Sequence, residues 1–480
     1  MKLSEIIKEI DVIRMTADPE TEITGISYDS RSTAPGDMFV AVTGYESDGH
    51  RFIGSAAERG AVCVLCEREP ETDIPYILTS STRRGLALAS KSFFGDPTSS
   101  MKLVGVTGTN GKTTTTTLIK TIIEKTLGAK VGLVGTNGNM IGDTFLPTER
   151  TTPESYELYR LFREMADAGC GYAVMEVSSH ALYLDRVCGL TFEVGVFSNL
   201  TQDHLDFHKT MDAYAEAKAI LFTKCRRGLV NIDDPYAQVM LDAATCPVMT
   251  YSVENDSADL VAKRLRMHAD SVEFCALTTG NIEAIRLGIP VRFSVYNGLA
   301  AYGACIELGI APEKVAAALN ECHGVKGRAE VVPTGRDFTI LIDYAHTPDA
   351  LENIITTVKE VAKGRTVTLF GCGGDRDRTK RPIMGRIASE LSDFVIVTSD
   401  NPRTEEPGAI ISDILEGMKE TETPYVVIEN RREAIAWAIK NAQPDDVIIL
   451  AGKGHETYQI LGKEKIHFDE REAVAEILAE

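Results

Sequence analysis

The sequence predicts an α/β protein of three domains, with a central P-loop ATPase-like parallel sheet and a C-terminal Rossmann-like doubly wound sheet. Three observations carry that reading. The chain has 480 residues, 44% hydrophobic and 25% charged, which is a globular composition too long for one core. A strand-like run, Lys102-Leu-Val-Gly-Val106, feeds a glycine-rich turn, and a helix-like run from Thr113 to Ile122 leaves it. From about residue 333 onward, short apolar runs alternate with helical patterns, as βαβ units do. The expected domains are residues 1–98, 99–332 and 333–480.

In the first domain, Phe39-Val-Ala-Val42 and Ala61-Val-Cys-Val-Leu65 read as short buried strands. Residues 53–59 between them read as a helix that Gly60 ends. Tyr28-Asp-Ser-Arg31 precedes the turn Ala34-Pro-Gly-Asp37, and Gly95–Ser100 reads as a linker.

The second domain opens on Gly105-Val-Thr-Gly-Thr-Asn-Gly-Lys-Thr-Thr114. A glycine-rich turn between strand and helix aims backbone N–H groups at one spot, where the helix dipole also favours an anion. Lys112 adds a mobile positive charge for outer phosphates, and the Thr113 hydroxyl suits a magnesium ion. This is a nucleoside triphosphate site, read as ATP. The loop is a variant, because Val106 stands five positions before Gly111, where the strict pattern has glycine.

Two further near-continuous apolar runs, Tyr172–Val177 and Phe192–Phe197, read as parallel strands buried on both faces. They end in Glu176-Val-Ser-Ser-His180 and Asn199-Leu-Thr-Gln-Asp-His204. Open α/β sheets bind ligands beyond the carboxyl ends of their strands, so Glu176 and His204 belong on the edge that holds the phosphate loop. A strand-end carboxylate there suits magnesium, a hard cation that prefers oxygen. Taken on its own chemistry, His204 is a polar strand-end residue. Lys218, in a run with strong helix propensity, is a solvated helix lysine on the same terms.

In the third domain, strands are predicted at 338–343, 366–370, 394–399, 425–429 and 446–451, with a helix from Pro348. The loops after them are polar: Asp343-Tyr-Ala-His346, Gly371–Arg378, Asp400-Asn-Pro-Arg-Thr404 and Gly452-Lys-Gly-His-Glu456. Arg376, Arg378, Lys380 and Arg381 form a basic loop, and Arg403 follows a turn-forming Asn-Pro. Arginine grips carboxylates in bidentate fashion, and Asp400 and Glu456 can hold an ammonium. The set fits an amino-acid ligand with several charged ends; the alternative is a salt-bridged surface.

The net charge of −20 argues against nonspecific nucleic-acid or membrane binding. No apolar run approaches the ~20 residues that span a bilayer. The amino terminus, Met1–Glu9, is charged throughout and lacks the apolar core of a signal peptide, so the chain reads as cytoplasmic. The ten cysteines are scattered, mostly in apolar segments, and read as small buried hydrophobes. Cys63 and Cys66 form a lone C-x-x-C without a second pair or a nearby histidine, which is weak grounds for zinc or redox chemistry.

With these stretches in hand, the chain resembles the Mur ligase family, ATP-dependent amide-bond synthetases of peptidoglycan assembly. The resemblance rests on Gly108–Thr114, Glu176–His180, Asn199–Asp206, Gly324-Val-Lys-Gly-Arg-Ala-Glu330 and Asp343–Pro348, in order along nearly the whole chain. It implies an N-terminal domain for a UDP group, a central ATPase and a C-terminal amino-acid domain. ATP would lie on Gly108, Thr109, Asn110, Gly111, Lys112, Thr113 and Thr114, with Asn297 at the adenine and Arg328 and Asp343 on the rest of the nucleotide. Ser30 and the loop Tyr45, Glu46, Ser47 would contact the uridine nucleotide. Thr151, Thr152, Ser178 and Arg186 would hold a sugar-peptide. Leu184 stands where some relatives have glutamine, and Ser294 where relatives often have asparagine.

The resemblance further implies magnesium on Thr113, Glu176, His204 and Lys218, the last as a CO2-derived carbamate. Lys112, Glu176, His204 and Lys218 are then the catalytic set. Within the family, Gly371–Asp377 together with Asp400–Arg403 resembles the enzyme that adds the third peptide residue. The implied substrates are ATP, UDP-N-acetylmuramoyl-L-alanyl-D-glutamate and meso-2,6-diaminopimelate, the last held by Arg376, Asp400, Asn401, Pro402, Arg403, Gly452 and Glu456. The implied protein is a monomer whose domains close during the reaction. Competing readings are a lysine-adding homologue, a folylpolyglutamate synthase-type ligase and a P-loop switch or transport ATPase. A GTPase would carry Asn-Lys-x-Asp, which the sequence lacks.

Overall fold

A computed structural model describes residues 1–480 apart from Tyr45, Glu46, Glu149, Ala269 and His323. The chain divides into two compact units, Met1–Val261 with Ala300–Val315, and Ala262–Leu299 with Ala316–Glu480. The first unit holds two sheets, so the first expected domain and the phosphate-loop part of the second share one unit.

The N-terminal sheet comprises β1 (Val12–Met15), β2 (Gly25–Ser27), β3 (Asp37–Val40), β4 (Cys63–Cys66) and β5 (Tyr76–Thr79), in the order β1-β5-β4-β3-β2. Only β1 runs antiparallel to its neighbour. The strand expected at 39–42 is observed two residues earlier, as β3, and the one expected at 61–65 starts two residues and ends one residue later, as β4. Pairing of Met38 with Cys63 and Val40 with Leu65 fixes their ends, which apolar content alone does not. Cys63 packs with Met38 and Leu65 on one face, while Cys66 packs with Phe39 and Val64 on the other. Residues three apart on a strand face opposite ways, so this C-x-x-C cannot converge on one metal.

The second sheet of this unit contains β6 (Lys102–Thr107), β7 (Val131–Val134), β8 (Asn139–Ile141), β9 (Thr144–Leu146), β10 (Tyr172–Glu176), β11 (Phe192–Phe197), β12 (Cys225–Asn231) and β13 (Val248–Ser252). Their order is β13-β12-β11-β6-β10-β7-β8-β9, parallel from β13 to β7. From β6 the chain goes out to β7, returns to β10 between the two, and then crosses to β11, β12 and β13 on the other side, so the order switches at β6. In an open α/β sheet the ligand crevice lies at such a switch, here outside the carboxyl ends of β6, β10 and β11. A core built on Leu103, Phe162, Met175, Phe192 and Phe222 fixes those ends. Val106 is fully buried and pairs with Glu176 on one side and Val196 on the other. It belongs to the strand, and the turn begins only at Gly108, so glycine is not needed at 106.

The strand β14 (Leu260–Met267) carries the chain from the first unit to the second. In the second unit, β15 (Val272–Thr278) and β16 (Asn281–Leu287) form an antiparallel hairpin. The C-terminal sheet follows: β17 (Glu330–Val332), β18 (Thr339–Asp343), β19 (Thr366–Phe370), β20 (Phe394–Val397), β21 (Tyr425–Val427) and β22 (Val447–Ala451). Its order is β17-β18-β22-β19-β20-β21, parallel from β18 to β21. The five strands predicted for this domain are β18 to β22, although β20 stops at Val397 because Thr398–Asn401 leaves as a loop; the short β17 is not among them. A final hairpin pairs β23 (Tyr458–Leu461) with β24 (Glu464–His467). The helix Pro348–Lys359 starts where expected, with Pro348 in its first turn and Thr347 accepting from the Ala350 N–H at 3.3 Å. Among the described residues, no helix is long and apolar enough to cross a membrane.

Candidate functional site

In the first unit, Gly111 precedes the helix Lys112–Leu127 with φ of +86°, and Gly108 has φ of +148°. Both values favour glycine. A Cβ on Gly108 would stand 1.9 Å from the Ser198 hydroxyl. The end of β11 holds the turn in place. Thr109 N–H donates to the Asn199 carbonyl and Asn110 N–H to the Asn199 side chain, each at 2.8 Å. The Thr201 N–H in turn donates to the Thr109 hydroxyl at 3.0 Å. The helix dipole and first-turn amides make this end of the helix a seat for an anion. Thr113 to Thr116 are buried, and the Thr116 and Thr117 hydroxyls donate back to the Thr113 carbonyl.

Glu176 ends β10 and is 1% exposed. One of its carboxylate oxygens accepts from the Thr113 hydroxyl and from the Thr136 N–H, both at 2.9 Å. The other accepts from the Thr136 hydroxyl at 3.0 Å. Thr113 and Glu176 are therefore in direct contact.

Lys218 departs from the solvated helix lysine that its surroundings in sequence describe. It is 1% exposed, and its Nζ donates to the Gly108 carbonyl at 2.7 Å over the face of Tyr214. Lys112 donates to the same carbonyl at 2.9 Å. Burial, reinforced by the Lys112 charge, holds the Lys218 amine well below the ordinary lysine pKa. Tyr214 also meets the Thr109 hydroxyl at 3.2 Å, so one side chain supports both the lysine and the loop. Nothing in the sequence singles out Tyr214, because an aromatic on an alanine-rich helix reads as core.

His204 has φ of +52° and lies 4.9 Å, ring to ring, from His180. Burial lowers its pKa and takes His180 and His208 down to about 4. Neutral imidazole is the metal-ligating form. Among the described residues no three His, Cys, Asp or Glu side chains gather as a metal cluster. The donors at hand are instead the Thr113 hydroxyl, the Glu176 carboxylate, a neutral His204 and a Lys218 amine of lowered basicity. The two oxygens suit magnesium, and an amine carbamate would supply a third oxygen donor, so the set fits a hard cation.

The remaining expected contacts of this unit divide by position. Thr152 is 1% exposed; its hydroxyl donates to the Glu176 carbonyl at 2.8 Å and accepts from the Ser178 N–H at 3.1 Å. Thr151 meets Thr136 at 2.9 Å, hydroxyl to hydroxyl. Arg186 is held by Glu154 at 3.2 Å and donates to the Thr152 carbonyl. These residues thus adjoin the Glu176 strand end. Ser30 and Ser47 lie in the loops after β2 and β3, adjacent parallel strands, hence on one sheet edge. Tyr45 and Glu46 lie outside the described residues.

In the second unit, four loops leave the carboxyl ends of β18, β22, β19 and β20. Asp343 accepts from the Ala329 and Ala345 N–H groups at 2.7 and 2.8 Å. Burial raises its pKa, against the pull of the Arg328 charge. Arg328 lies over the Tyr344 ring at 5.1 Å. Asn297 is 4% exposed on the helix Phe293–Glu307.

Lys453 is the residue that sequence reading passed over. It is fully buried, and its ammonium reaches Glu456 at 3.1 Å, Asn401 at 3.2 Å and Asp400 at 3.4 Å. Asn401 also donates to Glu456 at 2.9 Å. The Gly-Lys-Gly-His-Glu loop contained the signal, a lysine three residues before a glutamate, but nothing in sequence aimed it at residues 400 and 401. Arg403, with φ of +52°, donates to the Gly374 carbonyl at 2.8 Å and ties the two polar loops together. The basic loop separates into two kinds of arginine. Arg381 is fully buried between Glu405 and Asp413, and Arg378 also reaches Asp413, so both are structural. Arg376 is exposed, and its guanidinium donates to the Asp375 carbonyl at 3.2 Å.

A phosphate loop at the switch point of a parallel sheet, beside Glu176 and a buried lysine, defines a nucleotide-dependent ligase class. The chain matches the Mur ligase family, catalytic domain, over residues 22–90, the Mur ligase middle domain over 106–305 and the Mur ligase, glutamate ligase domain over 327–454. This chain belongs to the Mur ligase family. It is 48% identical to the UDP-N-acetylmuramoyl-L-alanyl-D-glutamate--2,6-diaminopimelate ligase of Caldanaerobacter subterraneus, over 100% of this chain and 99% of that one. Its identity to the enzyme of the same name from Clostridium tetani is 47%, over the full length of both. A solved structure of a ligase with that name superposes with a TM-score of 0.75 at 32% identity, covering 100% of this chain and 99% of the other.

Proposed function

We propose that this protein is an ATP-dependent ligase that joins meso-2,6-diaminopimelate to the D-glutamate γ-carboxyl of UDP-N-acetylmuramoyl-L-alanyl-D-glutamate, a cytoplasmic step in peptidoglycan precursor synthesis. The cluster of Arg403, Asn401, Asp400, Glu456 and Lys453 beyond the ends of β20 and β22, which flank β19, carries the amino-acid assignment. Diaminopimelate brings a second amino-acid head, with one ammonium and one carboxylate, that lysine lacks at its far end. Arg403 suits that carboxylate, and the Asp400 and Glu456 carboxylates suit the ammonium. Arg376, Pro402 and Gly452 line the same loops and complete the amino-acid site.

The reaction has two steps. The γ-carboxylate attacks the γ-phosphorus of ATP, giving an acyl phosphate and ADP. The amine of diaminopimelate then attacks the acyl carbon; the C–N bond forms, phosphate leaves, and the amine loses its proton. Two anions meet in the first step, so charge stabilisation and positioning supply most of the catalysis. Lys112 and the N-terminus of its helix neutralise the outer phosphates. Gly108 to Thr114 cradle them, with Asn297, Arg328 and Asp343 on the nucleoside side. Thr113, Glu176, His204 and a carbamylated Lys218 would hold magnesium, which supplies positive charge to the transferring phosphoryl group when bound. The low basicity of Lys218 favours the carbamate, because only a neutral amine adds CO2. Thr151, Thr152, Ser178 and Arg186 orient the sugar-peptide, and Ser30, Tyr45, Glu46 and Ser47 the uridine nucleotide.

Domain limits of 1–98, 99–332 and 333–480 go with this reading, as does a monomer that binds neither nucleic acid nor membrane. The deciding experiment is ADP formation in single-omission mixtures. Activity should require both UDP-muramoyl-dipeptide and diaminopimelate. Equal kcat/KM for lysine and diaminopimelate would favour the lysine-adding homologue. Activity on folate and glutamate would favour the folylpolyglutamate synthase type, and amino-acid-independent hydrolysis a switch or transport ATPase.

A further inference from the structure

Cys225 opens β12, and Cys246 lies just before β13; their sulfurs are 3.6 Å apart although the residues are 21 positions apart in sequence. Both strands are entered from their amino ends, so the pair sits on the sheet edge opposite the phosphate loop. The backbone already holds the two segments together. The Thr245 N–H donates to the Phe222 carbonyl at 3.3 Å, and the Cys246 thiol approaches the same carbonyl at 3.9 Å. Cys225 is 8% exposed and packs close enough to Gly195 that a Cβ there would stand 2.9 Å from its sulfur. Cys246 is partly exposed. Cys246 is thus the more exposed residue of the two, and the Cys225 sulfur lies at contact distance from its sulfur.

We propose that Cys225 and Cys246 are a modification site, a thiol pair that a hydroperoxide converts to an intramolecular disulfide and that thiols restore. The Cys246 thiolate attacks one peroxide oxygen; the S–O bond forms, the O–O bond breaks, and the sulfur is oxidised to sulfenic acid while the other oxygen leaves as water after protonation. The Cys225 sulfur then attacks the Cys246 sulfur. The S–S bond forms, the S–O bond breaks, and the departing hydroxyl takes the Cys225 proton and leaves as a second water. In sum two thiols and one hydrogen peroxide give one disulfide and two waters. Burial and the neighbouring thiol keep Cys225 protonated, which reserves the first attack for Cys246. The bond caps oxidation at a reversible level and staples the helix Ala237–Ala243 between the two strands.

The test treats the full chain with hydrogen peroxide, blocks free thiols with an alkylating reagent, and maps peptides without reduction. The expected product is a cross-linked peptide pair containing Cys225 and Cys246, lost on dithiothreitol treatment. The oxidised chain should melt roughly 5 °C higher, because a loop of this length is closed in the unfolded state. In Cys225→Ser the exposed thiol should pass on to sulfinic and sulfonic acids that dithiothreitol does not reverse. Cys246→Ser, which alters a partly exposed position, should leave Cys225 reduced. Two alkylated thiols after peroxide, a cross-link to another cysteine, or reversible oxidation of Cys246 in Cys225→Ser would each overturn the proposal.

Discussion

Lys218 illustrates how burial changes what a side chain is. On a helix written in alanines it has the sequence signature of a surface lysine, yet the fold removes it from water and places Lys112 beside it. The unfolded chain then binds a proton that the folded chain does not, between the lowered value and the ordinary 10.5. Stability must rise with pH across that interval, and the full cost of burying the amine falls below it. In bicarbonate-free buffer, Lys218→Met should therefore melt above the parent protein at low pH, and the gap should close as pH rises. A gap independent of pH would refute the assignment. Isotope-labelled bicarbonate should give a carbamate NMR signal in the parent and none in Lys218→Arg. At the other end of the chemistry, Arg403→Ala should raise KM for diaminopimelate by about 10–100-fold, the worth of a charge-assisted hydrogen bond. KM for ATP should stay where it was.

At the scale of elements, strand ends and the loops beyond them decide function. The turn after β6 is fixed by contacts from β11, so its shape is a property of two strands and not of the motif alone. Gly108→Ala forces a methyl group against Ser198 in a backbone conformation that L-residues avoid. Turnover should fall about 100-fold or more while the circular dichroism spectrum is unchanged, because misplacement by an ångström has that effect on phosphoryl transfer. In the C-terminal sheet, Lys453 binds the ends of β20 and β22 through Asp400, Asn401 and Glu456. Lys453→Met leaves two carboxylates without their shared cation. Loss of one partner from a buried pair costs about 3–5 kcal/mol, so the C-terminal unit should lose that much in urea unfolding and diaminopimelate discrimination should go with it. Lys453→Arg, too large for the cage, should not restore discrimination.

Considered as a whole, the chain carries separate cores for its sheets, as its length requires, and a large negative charge. The two nucleotide substrates of the proposed reaction are nonetheless anions and diaminopimelate carries two carboxylates, so the positive potential is local: Lys112 and a helix N-terminus in one unit, Arg403 and Arg376 in the other. Separate cores imply unfolding in more than one transition. A non-hydrolysable ATP analogue with magnesium, at about 100 times its Kd, should stabilise the unit holding the phosphate loop by about 2.7 kcal/mol. Lys112→Ala should abolish that shift in calorimetry and leave the other transition in place.

Much was legible before folding because it is local chemistry. The strand-turn-helix order around Lys112, the apolar runs of β10 and β11, and the alternation after residue 333 determine an α/β fold with a phosphate loop and put Glu176, His204 and Arg403 beyond strand ends, whereas a metal role for His204 came only from the family resemblance. Short strands such as β2 and β7 left no such trace, since their pairing, not their periodicity, makes them strands. Three matters were settled only in three dimensions, for one reason: each depends on residues far apart in sequence. Lys218 lost its solvent to the turn at Gly108, Lys453 met Asp400 53 residues back along the chain, and Arg381 is buried between two carboxylates where Arg376 is exposed. Composition and spacing specify which groups exist; packing alone specifies which of them are dry, and dryness sets their charge and partners.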